Sequence, residues 1–151
     1  MTAPFRSTFV LIKPNAIQRG LVGEIIHRFE NKGLRIDAMK MLYITEELAE
    51  EHYAEHRDKP FYSALIDFIT SGPVIAMVLS GPDAIEAVRY IVGDTDPLKA
   101  QPGTIRGQYA ITVARNIVHA SDSILAARNE IARFFGPDEV LKYRLNLEED
   151  I

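Results

Sequence analysis

Two stretches of this chain, FVLI at residues 9–12 and VIAMVL at residues 74–79, are apolar at successive positions rather than at every second one. Side chains of a strand point alternately to the two faces of its sheet. A sheet with one wet face therefore reads as alternation, and these two runs do not alternate. Each predicts a strand in a sheet covered on both faces. Helices elsewhere in the chain can cover one face. Self-association is the simplest cover for the other.

The remaining segments show what is available to do the covering. LVGEIIHRFENKG (21–33) puts Leu21, Val22, Ile25, Ile26 and Phe29 on one helical face and ends on Gly33, a natural C-terminal stop. LRIDAMKMLYI (34–44) alternates loosely and predicts a second strand. Thr45 is placed to cap a helix running towards His56, and Pro60 to start a short helix carrying Phe61, Leu65, Phe68 and Ile69 on one side. Ser71-Gly72-Pro73 ends that helix, and the strand at 74–81 follows. A helix is predicted from Pro82 to about Val92, a loop from Gly93 to Gly107, and a short strand IVHA at 117–120. Ser121 or Asp122 caps a last helix through Phe135, stopped by Gly136-Pro137. The order β-α-β-(α-α)-β-α-loop-β-α contains the βαββαβ pattern of a ferredoxin-like fold. The expected class is α+β: an antiparallel sheet covered by helices, with a helical-hairpin insertion and a long loop before the last strand. A length of 151 residues predicts one domain, residues 1–151.

Composition excludes several functions. There is no cysteine, hence no disulfide framework, thiolate metal site or cysteine nucleophile. The net charge of −4 argues against a broad nucleic-acid surface as the main function. The start, MTAPFRSTFVLIKP, has no basic segment followed by a long apolar one, and no apolar run approaches a membrane span. A cytoplasmic protein without membrane attachment is the expectation.

Four histidines are candidates for chemistry. His27 lies between Glu24 and Glu30 on the polar side of its helix. His52 and His56 have the i, i+4 spacing of a zinc pair but sit in a glutamate-rich helix with no H-E-x-x-H pattern and no obvious third ligand. A solvated helix face is expected for both, and no protein-held metal. His119 differs. It ends an apolar run, NIVHASDS, and faces a helix start. In the helix that follows, Glu130 shares a stripe with Ser123, Ala127 and Phe134. A carboxylate there could hold one imidazole nitrogen and leave the other free to attack. The alternative is a structural histidine bonded to a cap. No G-x-x-x-x-G-K-[ST] motif exists, yet Lys13, Arg89, Thr95, Arg106 and Asn116 recur at element ends. Cations converging on one site suit phosphates. Phe61, directly after Lys59-Pro60, is a candidate stacking platform, although most phenylalanines pack in cores.

The strings FVLIKPNAIQRGLVGEII, EHYAEHRDKPFY, SGPVIAMVLSG, PGTIRG and NIVHASDS, in this order, closely resemble the nucleoside diphosphate kinase family from about Ser7 to Tyr143. The resemblance implies an enzyme that passes the γ-phosphoryl group of a nucleoside triphosphate, usually ATP, to a nucleoside diphosphate by a ping-pong route. His119 would be the nucleophile, Glu130 its orienter and Ser121 a support for that contact. Lys13 and Tyr53 would hold the transferring group. Arg89, Thr95 and Arg106 would bind the other phosphates, and Asn116 with Lys13 the ribose hydroxyls. Phe61 and Val113 would sandwich the base with Leu65 close by, giving broad base specificity. Mg2+ would arrive bound to the nucleotide. The resemblance also implies a homo-oligomer, with a hexamer expected and a tetramer or dimer as alternatives. Three departures stand out: Asn15 where many relatives have Asp, Ala120 where many have Gly, and a tail, KYRLNLEEDI, without the tryptophan-containing ending of longer relatives. Ala120 would be strained if its backbone needed a positive φ. The competing reading is a ferredoxin-like module that senses nucleotides without turning them over.

Overall fold

The computed structural model describes residues 3–146. The chain forms β1 (Phe5–Ile12), α1 (Pro14–Gln18), α2 (Val22–Lys32), β2 (Arg35–Leu42), α3 (Glu46–His52), α4 (Tyr62–Ile69), β3 (Val74–Pro82), α5 (Ala84–Val92), α6 (Ile105–Tyr109), β4 (Val118–Ala120) and α7 (Ile124–Phe134). The four strands make one antiparallel sheet in the order β2-β3-β1-β4, which is the ferredoxin-like arrangement. Among the described residues no helix is long and apolar enough to cross a membrane. Residues 147–151 of the tail lie outside the described residues.

The two central strands, β1 and β3, are those with doubly apolar runs, and both faces are indeed covered. Val10, Ile12, Met77 and Leu79 face one core, closed by Ile25 and Phe29 of α2 and Val88 and Val92 of α5. Phe9, Leu11, Ala76 and Val78 face the other, closed by Ala49 of α3, Ile66 and Ile69 of α4, and Phe134 of α7. Burying each large side chain contributes about 1.5–3 kcal/mol. This corrects one expectation: the cover for the second face is the chain's own inserted helices and α7, so the doubly apolar strands require no second copy. What stays open is the outer strand β2, where Met39, Met41 and the following Tyr43 are 53%, 60% and 73% exposed.

The local signals mostly place the elements. Thr45 accepts from the Leu48 amide at 3.1 Å, and Gly33 ends α2 at φ 102°. Some boundaries move. The helix from Thr45 stops at His52, with a separate 3-10 turn at Ala54–His56. The α4 helix begins at Tyr62, two residues after Pro60. The last helix is capped by Ser123, whose hydroxyl accepts from the Ala126 amide at 3.0 Å, rather than by Ser121 or Asp122. Ser121 is engaged elsewhere. The expected loop at 93–107 contains the start of α6, capped by Thr104, and β4 begins at Val118 because Ile117 leaves the strand conformation.

Candidate active site

The site is built around a sharp turn into β4. Ile117 is fully buried and has φ 78°, a left-handed value that a β-branched residue rarely adopts. The Val118 amide bonds the Asn116 carbonyl at 2.9 Å, closing a three-residue γ-turn of the rare, strained kind. The Ile117 carbonyl accepts from the Lys13 amide at 3.0 Å, which fastens the turn to the end of β1. Such strain costs about 1–3 kcal/mol and persists only where the surroundings enforce it. The turn sets Asn116 and His119 on either side of a fixed corner. Ala120, by contrast, has no positive φ, so alanine meets no strain there.

His119 pairs with Leu11 across β1 and β4, with its side chain 24% exposed. Its Nε2 lies 3.0 Å from Glu130 Oε2. The other carboxylate oxygen, Oε1, accepts from the Ser121 hydroxyl at 2.5 Å, and that hydroxyl oxygen in turn accepts from the Phe9 amide at 3.3 Å. Burial alone would push Glu130 up. The hydrogen bond and charge of His119 and the bond from Ser121 outweigh it, and the carboxyl sits below its ordinary value. An ionised carboxylate can only accept, so Nε2 donates and a neutral ring carries its lone pair on Nδ1.

Beside this relay stand the cations. Lys13 is buried, and its ammonium donates to Asn116 Oδ1 at 2.7 Å. Burial first, and then the Arg106 charge, push Lys13 down to about 7. Arg106, also buried, donates to the carbonyls of Gly93 at 3.0 Å and Val118 at 2.6 Å; burial, then Arg89, lower it to about 10. Arg89 reaches the Ala120 carbonyl at 3.3 Å. Asn116 Nδ2 donates to the Thr95 carbonyl at 3.3 Å. One network thus joins Lys13, Arg89, Thr95, Arg106 and Asn116 around β4. Asp94 offsets part of the charge at Arg106, and the remaining excess of buried positive charge suits an anion.

Tyr53 is buried, with its hydroxyl unpartnered among the described residues, and burial followed by the Glu130 charge raises its pKa. Phe61 and Val113 stand 51% and 53% exposed, and Leu65 is half-buried against the second core. These three apolar side chains cannot join the polar network. Phe61 lies 5.6 Å, ring to ring, from His56. Asn15 donates to the Arg115 carbonyl at 3.1 Å, a bond an Asp carboxylate could not make.

One reading from the sequence is overturned. His27 is exposed and His56 half-buried, but His52 is only 8% exposed, so it is no part of a solvated face. Its ring lies 4.9 Å from that of His119, at 79°. The i, i+4 spacing pointed to the wrong partner: potential ligand atoms of His52, His119 and Glu130 all lie within 4.8 Å of one another. The signal that could have found it was apolar periodicity, since His52 follows the buried Ala49 by three positions.

Comparison with known proteins gives a consistent family and fold. The family model described as nucleoside diphosphate kinase matches residues 6–140. A nucleoside diphosphate kinase of Archaeoglobus fulgidus is 60% identical over 136 residues, 90% of each chain. One from Thermus thermophilus is 57% identical over 134 residues, 89% of this chain and 98% of that one. Among solved structures, a halophilic nucleoside diphosphate kinase from Halobacterium salinarum in complex with CDP superposes with a TM-score of 0.94 at 48% identity, covering 97% of both chains. A family member from Babesia bovis gives 0.92 at 42% identity, covering 95% of this chain and 97% of that one.

Proposed function

Since the chain belongs to the nucleoside diphosphate kinase family, we propose how its residues divide the work of transferring a γ-phosphoryl group from a nucleoside triphosphate to a nucleoside diphosphate. His119 Nδ1 attacks the γ-phosphorus, the bond from phosphorus to the β–γ bridging oxygen breaks, and the diphosphate leaves. A second diphosphate then takes the group from Nδ1 by the reverse displacement, which is the ping-pong course. The observation that carries this reading is the Ser121–Glu130–His119 relay. It ties up Nε2 and leaves the nucleophilic lone pair on Nδ1, while the carbonyls on either side of His119, those of Val118 and Ala120, accept from Arg106 and Arg89.

Each neighbour has a separate task. Glu130 fixes the ring and balances the charge that grows on it as Nδ1 bonds to phosphorus. Lys13 and the Tyr53 hydroxyl hold the transferring group. Arg89, Thr95 and Arg106 bind the other phosphates, and Asn116 and Lys13 the ribose hydroxyls. Phosphoryl transfer depends on positioning and charge neutralisation, which buried cations supply. Phe61 and Val113, both exposed, sandwich the base with Leu65 alongside; faces of any base serve, so specificity is broad.

The donor set around the phosphate region is cationic. It fits a Mg2+ ion carried in by nucleotide phosphates and water rather than held in a carboxylate cage. The ion would neutralise phosphate charge when bound. We further propose a cytoplasmic homo-oligomer, a hexamer ahead of a tetramer or dimer, with the exposed Met39, Met41 and Tyr43 of the outer strand as support for a contact between copies. Light scattering of the purified protein gives the count. The nucleotide-sensing alternative is not favoured by family membership.

The experiment is transfer from γ-labelled ATP to the protein. An acid-labile, base-stable adduct is expected, with His119→Ala abolishing both labelling and exchange. An alanine variant that exchanges phosphate at the wild-type rate overturns the assignment.

A further inference from the structure

His52 has an environment that the reaction above does not use. The ring is boxed by Phe9, Tyr53, Phe134 and His119, with centres at 6.2, 4.8, 5.3 and 4.9 Å. Arg133 Nη1 lies 3.0 Å from its Nδ1. A guanidinium only donates, so Nδ1 accepts and keeps its lone pair. A neutral ring must then carry its proton on Nε2. The ring is neutral: burial first, then the charge of His119, push its pKa down to about 3. That Nε2–H is buried and has no acceptor among the described residues. A buried donor left without an acceptor is destabilising.

A divalent cation is the first occupant suggested by His52, His119 and Glu130. The tautomer argues against it. A metal needs a lone pair, and the lone pair of His52 is spent on Arg133, while the other nitrogen offers a proton. This corner asks for an acceptor. Glu130, whose oxygens accept from Ser121 and His119, makes no hydrogen bond to that nitrogen. The Tyr53 hydroxyl, next in the chain, is likewise buried without a partner among the described residues.

We propose that His52 Nε2–H donates to the phosphoryl group while that group is carried on His119. The proposal rests on the phosphohistidine reading above and extends it. A phosphoryl group on nitrogen has three peripheral oxygens. Lys13, Tyr53 and His52 offer three donors of different kinds: an ammonium, a hydroxyl and a neutral imidazole. A neutral third donor adds no further charge beside Lys13 and Arg106. Arg133 acts as the positioning residue that fixes the tautomer. His52 then stabilises the transition state and the phosphoenzyme but not nucleotide binding to the free enzyme.

The test compares His52→Phe, which keeps a ring but no donor, with His52→Gln, whose amide N–H reaches about as far as Nε2. For His52→Phe, kcat is expected to fall roughly 10²-fold, as for loss of one donor to a developing oxyanion. The equilibrium between enzyme with ATP and phosphoenzyme with ADP shifts against the phosphoenzyme, while ADP affinity of the unphosphorylated enzyme is unchanged. His52→Gln recovers much of both losses. In the wild type, 15N NMR finds the Nε2–H tautomer of His52, and its proton shifts on phosphorylation. An Nδ1–H tautomer, or Phe and Gln variants with the same phosphoenzyme equilibrium, overturns the proposal. So does protection of the wild type, but not His52→Phe, from labelling by Zn2+ alone. If the wild type takes no label on His119, the phosphohistidine reading falls and this proposal with it. If it labels normally and the two variants match it, this proposal alone falls.

Discussion

Replacing Glu130 with Gln separates the task of orienting His119 from that of binding phosphate. In the native site both carboxylate oxygens accept, from His119 Nε2 at 3.0 Å and from Ser121 Oγ at 2.5 Å. An amide has one accepting oxygen. Whichever way Gln sits, its NH2 faces one of the two donors. If it faces Ser121, the hydroxyl can turn to the Phe9 carbonyl, 3.4 Å away, and the amide oxygen keeps His119. The charge is still lost, and a hydrogen bond to a charged group contributes about 1.5–3 kcal/mol. Since the bond strengthens as the ring gains positive charge, most of that loss falls on the transition state. The expected outcome is a fall in kcat of roughly 10- to 100-fold with little change in KM, because Glu130 touches none of the phosphate-facing cations. Single-turnover labelling with γ-labelled ATP measures the step directly. A rise in KM at unchanged kcat, or a variant as fast as wild type, would refute the reasoning. The same substitution has a stability signature. The native carboxyl sits below its ordinary value, so its contribution is present above the unfolded pKa of about 4.5 and is lost as pH falls through the folded one. The Gln variant therefore loses less stability on acidification than wild type, a difference that opens below about pH 4.5 and is read from urea titrations at neutral pH and at a series of pH values below 4.5.

Other outcomes follow from single residues. Lys13 is lowered to about 7, so near pH 8 the free enzyme holds it mostly neutral, and anionic phosphates draw a proton onto it. ADP binding at pH 8 is expected to take up a proton, seen as a dependence of calorimetric enthalpy on buffer ionisation; binding with no buffer dependence contradicts this. In stability terms the burden of burying Lys13 is full below about 7 and eases as pH rises towards 10.5, where the unfolded lysine also loses its proton. At Ile117, Gly relieves a left-handed strain of about 1–2 kcal/mol that Ala keeps. Ile117→Gly is therefore expected to melt no lower than Ile117→Ala, whereas Gly is ordinarily the worse of the two; a clearly lower Tm for Gly would show the turn is unstrained. Phe61→Ala is expected to raise KM for every nucleoside diphosphate about 10-fold, from lost base stacking, with Tm almost unchanged because the ring is 51% exposed. A large drop in Tm would make Phe61 a packing residue instead.

How much of this was legible depended on whether the signal was local. The strands β1 and β3 announced themselves because burial on both faces leaves a continuous apolar run. Thr45 and Gly33 carry their capping chemistry in their own side chain or lack of one. The cations of the site were each ambiguous as a lone charge and became informative only through family resemblance, since convergence is a property of topology. The γ-turn at Ile117 left no mark: isoleucine is among the residues least suited to φ 78°, and only the packed surroundings hold it there. Ser121 looked like a helix cap because serine at a helix start usually is one, yet Glu130 takes its hydroxyl and Ser123 does the capping. His52 was misread for a related reason. Counting neighbours along a glutamate-rich helix suggested solvent, while the side that faces Phe9, Phe134 and His119 is set by strands and a helix far away in sequence. The cover for the second sheet face could not be assigned in advance either, because an inserted helical pair and a second copy offer the sheet the same apolar surface.

The central claim is that a carboxylate-held imidazole lends its other nitrogen to phosphorus. The direct measurement is 31P–15N correlation NMR on the intact phosphoenzyme, formed from ATP and protein labelled with 15N histidine. One phosphorus resonance coupled to Nδ1 of His119, with Nε2 still protonated, is the result expected. Coupling to Nε2, or phosphorus attached to any residue other than His119, would contradict it.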